Sequence, residues 1–292
     1  MNTMNEDRSE RLGAIAARVR EHVIRMSEGA GCFVGASLSC VDIFVSLYAD
    51  CLRLSPERLN DPDRDVVLLS KGHAVPALYG TLAELGYLDP MRLGHHLRTD
   101  DVIYWHPNRA VPGVEFHSGS LGHLLSVGIG MALDARLRNS ESKVFVVVGD
   151  GELNEGTLWE GALVAQAQEL ERLVLVVDRN QLQANVRTEH LVPLEPLTDK
   201  FTAFAWNTTV VDGHNFDELH EALLSSSARR PTAVIANTVR GCGVPELEGQ
   251  ADKWFVKSTP ADVERLIASM RDTRSQRMSS SRSNRSRQHD TV

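Results

Sequence analysis

Residues 143–148 (KVFVVV) and 173–178 (LVLVVD) are apolar almost without a break, and a helix-length segment separates them. A strand with one wet face alternates apolar and polar residues, whereas a strand covered on both faces need not. Continuously apolar strands alternating with helices therefore indicate an α/β fold, a central, mostly parallel sheet with helices on both faces. The pattern is most regular from residue 123 onward. A helix over 123–138 precedes the strand 143–148, a helix over 155–170 precedes the strand 173–178, and NTTVVD (207–212), a helix over 215–227 and TAVIANT (232–238) follow. Upstream, Leu12, Ile15, Ala16, Val19, Val23 and Met26 recur at helical spacing within 8–29. Residues 39–51 read as a second helix, DVVLL (65–69) as a short strand and 74–85 as a further helix; the span 100–122, with two Pro and three Gly, reads as loop. No internal repeat is visible.

The chain has 292 residues, 42% hydrophobic and 24% charged, enough for one large domain with a substantial core. The expected division is an N-terminal arm (1–10), one α/β domain (11–270) and a disordered Ser/Arg-rich tail (271–292). The net charge is −8, but six Arg and two Asp from Arg271 onward leave −12 on the residues before it. An acidic body argues against a nucleic-acid partner. No run approaches the ~18 apolar residues of a membrane span, and MNTMNEDRSE lacks the pattern of a signal peptide. Cys32, Cys40, Cys51 and Cys242 show neither CxxC nor metal-type pairing, so free thiols and a cytoplasmic location are expected.

The strand 143–148 runs directly into Gly149-Asp150-Gly151. In an open parallel sheet, ligands sit beyond the carboxyl ends of strands and near helix N-termini. Glycines let backbone N–H groups approach an anion, and a following helix favours negative charge there. Asp150 adds a hard oxygen suited to a divalent cation that bridges carboxylates and phosphates. A plain turn explains this tripeptide equally well by itself. The next strand ends in VVDRNQLQ, which places Asn180 thirty positions after Asp150, about one strand–helix–strand crossover. If the strands are neighbours, both side chains reach one crevice, and a diphosphate–metal site becomes the better reading. A dinucleotide fold is disfavoured, because no GxGxxG is followed by an acidic residue ~20 positions later. On residue type alone, His73 could cap its helix, His106 could be an exposed loop residue and Glu155 an ordinary first-turn acid. His95 and His96 are adjacent, do not share a helix face, and carry no role.

These residues and their surroundings resemble the N-terminal, thiamine-diphosphate-binding half of transketolase in its split, two-subunit form. The matching stretches are LLSKGHAVPALYGTLAELGY (68–87), PGVEFHSGSLGHLLSVGIGMAL (112–133), GDGELNEGTLWEGAL (149–163), VDRNQLQ (177–183), LEPLTDKFTAFAW (194–206) and VDGHNFDEL (211–219). They fall in order across 10–258. The resemblance implies the thiamine-diphosphate-binding fold for 11–270, with thiamine diphosphate and Mg²⁺ (or Ca²⁺ or Mn²⁺) as cofactors. It implies Asp150, Asn180 and the backbone carbonyl of Leu182 as metal ligands, and Gly149 and Gly151 beside the diphosphate. His73 corresponds to a histidine that contacts cofactor phosphates and faces substrate, and His106 to a second active-site histidine. Gly119 and Leu121 match positions that hold the aminopyrimidine ring, and Glu155 matches an acidic residue near the subunit interface.

The resemblance also implies what is missing. The glutamate that activates thiamine lies in the family's pyrimidine-binding domain, and nothing after residue 258 is expected to form one. A C-terminal transketolase-like subunit supplying it, in an α2β2 assembly, is the implied partner, and a ketose phosphate the implied donor. Three stretches depart from the family pattern: GCFVGASLS (31–39) places Phe33, and WFVK (254–257) places Phe255, where histidines are expected, and GSLGHL (119–124) places Leu124 at a glycine position. A buried hydroxyl left without a partner costs about 1–3 kcal/mol, so a phosphosugar acceptor should fit less well. The expected activity is transfer of a two-carbon ketol unit, with a lipoyl or carrier-protein thiol as an alternative acceptor. An ordinary split transketolase and a non-catalytic scaffold are the competing readings.

Overall fold

The computed structural model describes residues 2–289, with side chains from Glu6 to Gln276. The chain opens with helix α1 (Asn2–Arg25), so the expected arm is the first part of a helix. Arg8 pairs with Asp217 at 2.6 Å and fixes that part to the body. The expected helix over 39–51 is broken into α2 (Val34–Ser39), α3 (Val41–Ser46) and a wider turn over Leu47–Cys51. The strand β1 (Val66–Leu69) and helix α4 (Val75–Glu84) follow. Residues Val75–Ala83 of α4 are all buried, so this helix needs no polar face.

After the loop 100–122, the chain alternates as expected. Helix α5 (Leu124–Leu137) leads into strand β2 (Val144–Gly149), helix α6 (Gly156–Ala167) and strand β3 (Leu173–Arg179), the last three forming one crossover unit. A small hairpin, β4 (Leu182–Gln183) and β5 (Val186–Arg187), then leads into the short helices α7 (Thr188–Leu191) and α8 (Leu197–Ala203). Strand β6 (Asn207–Asp212), helix α9 (Phe216–Leu224), strand β7 (Thr232–Asn237) and helix α10 (Pro260–His289) complete the chain.

The five main strands are all parallel, in the order β1-β2-β3-β7-β6. Side chains along a strand alternate between faces, and both faces are covered. Phe145, Val147, Val174 and Val176 belong to the core beneath α1, α3 and α4, whereas Val144, Val146, Leu173, Leu175 and Val177 belong to the core beneath α5, α6 and α8. This is why 143–148 and 173–178 read as unbroken apolar runs. Gly128 lets α5 sit close to the sheet, since a Cβ there would lie 2.7 Å from Val146 Cγ2.

Helix α10 runs through residues whose composition suggested a disordered tail, and 290–292 lie outside the described residues. Its apolar stripe of Val263, Leu266, Ile267 and Met270 packs on the first core and ends there. Ser/Arg-rich composition reports the lack of an apolar stripe beyond Met270, and a helix already nucleated on the core can continue through such residues. Among the described residues, no helix is long and apolar enough to cross a membrane.

Candidate functional site

Strands β2 and β3 are neighbours, and their register pairs Gly149 with Asp178. Their carboxyl ends therefore lie side by side, as a shared crevice requires. Asp150 latches the two ends together: its Oδ1 accepts the Gly151 amide at 2.8 Å, and its Oδ2 accepts the Gln181 amide at 2.5 Å and Arg179 Nη1 at 3.1 Å. Asn180 folds the turn after β3. Its Oδ1 accepts the Leu182 amide at 3.1 Å, and its Nδ2 donates to Asp178 Oδ2 at 3.2 Å.

A cavity of about 350 Å³ opens at these strand ends, walled by Asp150, Asn180, Leu182, Gly149 and Gly151 on one side. His73, His106, Gly119 and Leu121 line it as well. His73 arrives on the turn after β1. Burial, with the charges of Lys71 and His106 nearby, pushes it down to about 3, so it is a neutral imidazole at ordinary pH. Burial also lowers the pKa of His106. The loop bearing His106 packs tightly on the end of β1: a Cβ on Gly72 would lie 2.5 Å from Ser118 Oγ and 2.8 Å from His106 Cδ2. Tyr79 Oη fixes that loop by donating to the His106 carbonyl at 3.1 Å.

Glu155 is not brought to this cavity. It is the exposed residue that starts α6, with extended backbone, and its Cβ lies against Gly122. The buried acid of the motif is Glu152, which accepts the Gly122 amide at 2.8 Å, the Gly149 amide at 3.2 Å and the Ser70 hydroxyl. Burial raises its pKa, opposed by those bonds. Sequence reading also missed the ion pair beneath the site. Lys71, 2% exposed, donates to Asp178, which is fully buried and also accepts Ser39 Oγ at 2.6 Å and Thr238 Oγ1. The available signals were a lysine just after β1 and an acid ending a wholly apolar strand.

The electrostatics suit a cation and an anion together. Burial first, and then the charge of Asp178, pushes Asp150 up to about 6, against the opposing pull of Arg179. A bare carboxylate is thus uncomfortable there. The three nominated metal donors are all oxygen atoms, the set that Mg²⁺ and Ca²⁺ take. Two polar atoms in the cavity wall, Gln183 Oε1 and Arg240 Nε, are buried without a partner. Arg240 Nη2 donates to the Leu182 carbonyl at 2.7 Å, so a cation would share that oxygen with the guanidinium.

A family model described as "Transketolase, thiamine diphosphate binding domain" matches residues 14–267. An apulose-4-phosphate transketolase subunit from Phocaeicola vulgatus is 36% identical over 223 residues, 76% of this chain and 79% of that one. Its namesake from Actinobacillus succinogenes is 36% identical over 262 residues, 89% of this chain and 95% of that one. The 6-deoxy-6-sulfo-D-fructose transketolase subunit SqwG of Clostridium sp. is 35% identical over 229 residues, 77% and 83% of the respective chains. Among solved structures, a transketolase from Leishmania mexicana superposes with a TM-score of 0.81 at 22% identity, a likeness of fold. It covers 90% of this chain and 41% of that one, so the chain spans under half of the solved enzyme.

Proposed function

The chain belongs to the transketolase family, as its thiamine-diphosphate-binding domain, and from that premise we propose that it is one subunit of a two-component enzyme that moves a two-carbon ketol unit between carbonyl compounds. The observation that carries this reading is the meeting of Asp150, Asn180 and the Leu182 carbonyl with His73 and His106 around one cavity. The donor set fits a hard divalent cation, and the raised Asp150 is the residue that a cation would relieve. Asp150, Asn180 and the Leu182 carbonyl would hold Mg²⁺, and the strand-end backbone from Gly149 to Gly151 would face the diphosphate. When bound, thiamine diphosphate supplies the carbanion chemistry that breaks and makes carbon–carbon bonds beside a carbonyl.

The chain's own residues do the rest. His73, neutral and partly buried, offers a hydrogen bond to a substrate hydroxyl or carbonyl without a charge. His106 is the second imidazole in reach, and its depressed pKa leaves it free to accept a proton. Gly119 and Leu121 would seat the aminopyrimidine. Three relatives are named as subunits, and this chain spans 79–95% of their lengths. That supports a separate partner bearing the pyrimidine-binding domain and its activating glutamate, in an α2β2 assembly. Transfer to an aldehyde is redox-neutral, and a lipoyl disulfide would itself be reduced on taking the unit. A plain carrier thiol would need a separate oxidant and is set aside.

Calorimetry of the chain with its partner, titrated with thiamine diphosphate and Mg²⁺, tests the cofactor assignment. Binding is expected to require Mg²⁺ and to weaken at least 100-fold in Asp150→Ala. Absence of binding, or binding indifferent to that change, would leave the scaffold reading standing.

A further inference from the structure

Phe33 is the hub of an aromatic cluster at the mouth of the cavity. Its ring centroid lies 4.8 Å from Trp254, 5.3 Å from Phe255, 5.5 Å from His73 and 5.8 Å from Trp105. Trp105 and Phe255 meet at 5.9 Å, and His73 and Trp254 at 5.7 Å. Four distant parts of the chain supply these rings: the turn before α2, the turn after β1, the loop 100–122 and the segment after β7. Phe33 and Trp254 line the cavity beside His73, while Phe255 is 38% exposed at the outer end. The cluster is thus a continuous wall from solvent to the inner histidine. Gly31 seats it, since φ is +88° there and a Cβ would lie 2.7 Å from Phe255 Cζ. The cluster's imidazoles are His73 and, 6.1 Å from Trp105, His96.

Resting on the ketol-transfer reading above, we propose that this wall selects an acceptor aldehyde carrying an apolar, aromatic or branched aliphatic substituent and no phosphate. A substrate hydroxyl pressed against Phe33 or Phe255 loses water and gains no partner, which costs roughly tenfold in binding. An apolar substituent there gains from burial instead, and an aromatic one gains further from edge and face contacts. In the reaction the C2–C3 bond of a ketose donor breaks, and the C3 hydroxyl loses its proton as that carbon becomes an aldehyde. A bond forms from donor C2 to the acceptor's carbonyl carbon, whose oxygen takes a proton. No net oxidation occurs, and the product is a dihydroxyketone bearing the apolar substituent.

The test uses the full chain with its partner subunit, loaded with thiamine diphosphate and Mg²⁺. Hydroxypyruvate is the donor, releasing CO₂, and phenylacetaldehyde and ribose 5-phosphate are the acceptors. The expected result is a kcat/KM at least tenfold higher for phenylacetaldehyde. Phe33→His and Phe255→His should each move that ratio at least tenfold toward ribose 5-phosphate, with thermal midpoints showing that both variants fold. Preference of the parent enzyme for ribose 5-phosphate would overturn the proposal. So would a ratio unmoved by Phe255→His, which would make the wall a contact with the partner subunit. Donor consumed with neither acceptor used would sink the proposal but not the ketol chemistry. No donor consumption and no cofactor binding would sink both.

Discussion

Asp178 accepts Lys71, Ser39, Thr238 and Asn180 and is fully buried. Burial alone would raise its pKa, and the Lys71 ammonium and the hydroxyl donors more than reverse this. Lys71 is likewise buried, held charged by Asp178 despite its desolvation. Removing one member strands the other: Lys71→Met should cost about 3–5 kcal/mol in urea unfolding. The double variant Lys71→Met, Asp178→Leu should recover much of that loss, because no charge is then left unpaired. Equal costs for single and double variants would show that the pair acts through packing alone. Glu152→Gln leaves a carboxamide among three donors, so its NH₂ must face one of them. A loss of about 1–3 kcal/mol is expected from that mismatch, read as a lower thermal midpoint. Of these residues only Asp150 and Asn180 were legible beforehand, because a strand end and a crossover length locate them along one dimension. Lys71, Glu152 and Arg240 act through partners set by the folded sheet, which no local spacing encodes.

At the scale of elements, the parallel order of the sheet was legible because both faces of each strand are buried, and the apolar runs record it. The broken α2–α3 segment and the β4–β5 hairpin were not, since their residues respond to the cavity and to neighbouring loops. One joint between elements can be measured by its stability. His214, on the turn before α9, bonds Asp42 of α3 through Nδ1 at 2.7 Å, while its Nε2 accepts the Val239 amide at 2.9 Å. Arg20 of α1 donates to the same carboxylate at 2.5 Å. The Val239 N–H occupies the lone pair of Nε2, so the bonded ring is the neutral imidazole that donates to Asp42 through Nδ1. His214→Ala leaves the buried Asp42 carboxylate with Arg20 as its remaining side-chain donor and should cost about 1–3 kcal/mol in urea unfolding. A urea midpoint unmoved by that change would refute the joint.

In the proposed two-component enzyme, the whole molecule holds one wall of the site and a second chain the other. Its cavity opens at the strand ends, and the rings of Trp105 and Phe255 pack on Phe33, which lines it. In the reading above, diphosphate and metal are held here, and the glutamate that activates thiamine comes from a second chain. Binding and turnover should therefore separate. Titrated alone, the chain should take up Mg²⁺ and inorganic diphosphate weakly, through Asp150 and Asn180, and consume no hydroxypyruvate. Adding the partner subunit should bring donor consumption, saturating at one partner per chain, and sedimentation should show a species of two chains of each kind. A charge-removing change of the partner's activating glutamate should abolish turnover while leaving thiamine diphosphate bound, because the diphosphate end is held by this chain. Turnover by the chain alone would overturn the division of labour, since every carboxylate then available to activate the cofactor would lie within these 292 residues. Glu152, already committed to two amides and a hydroxyl, would be the first to examine.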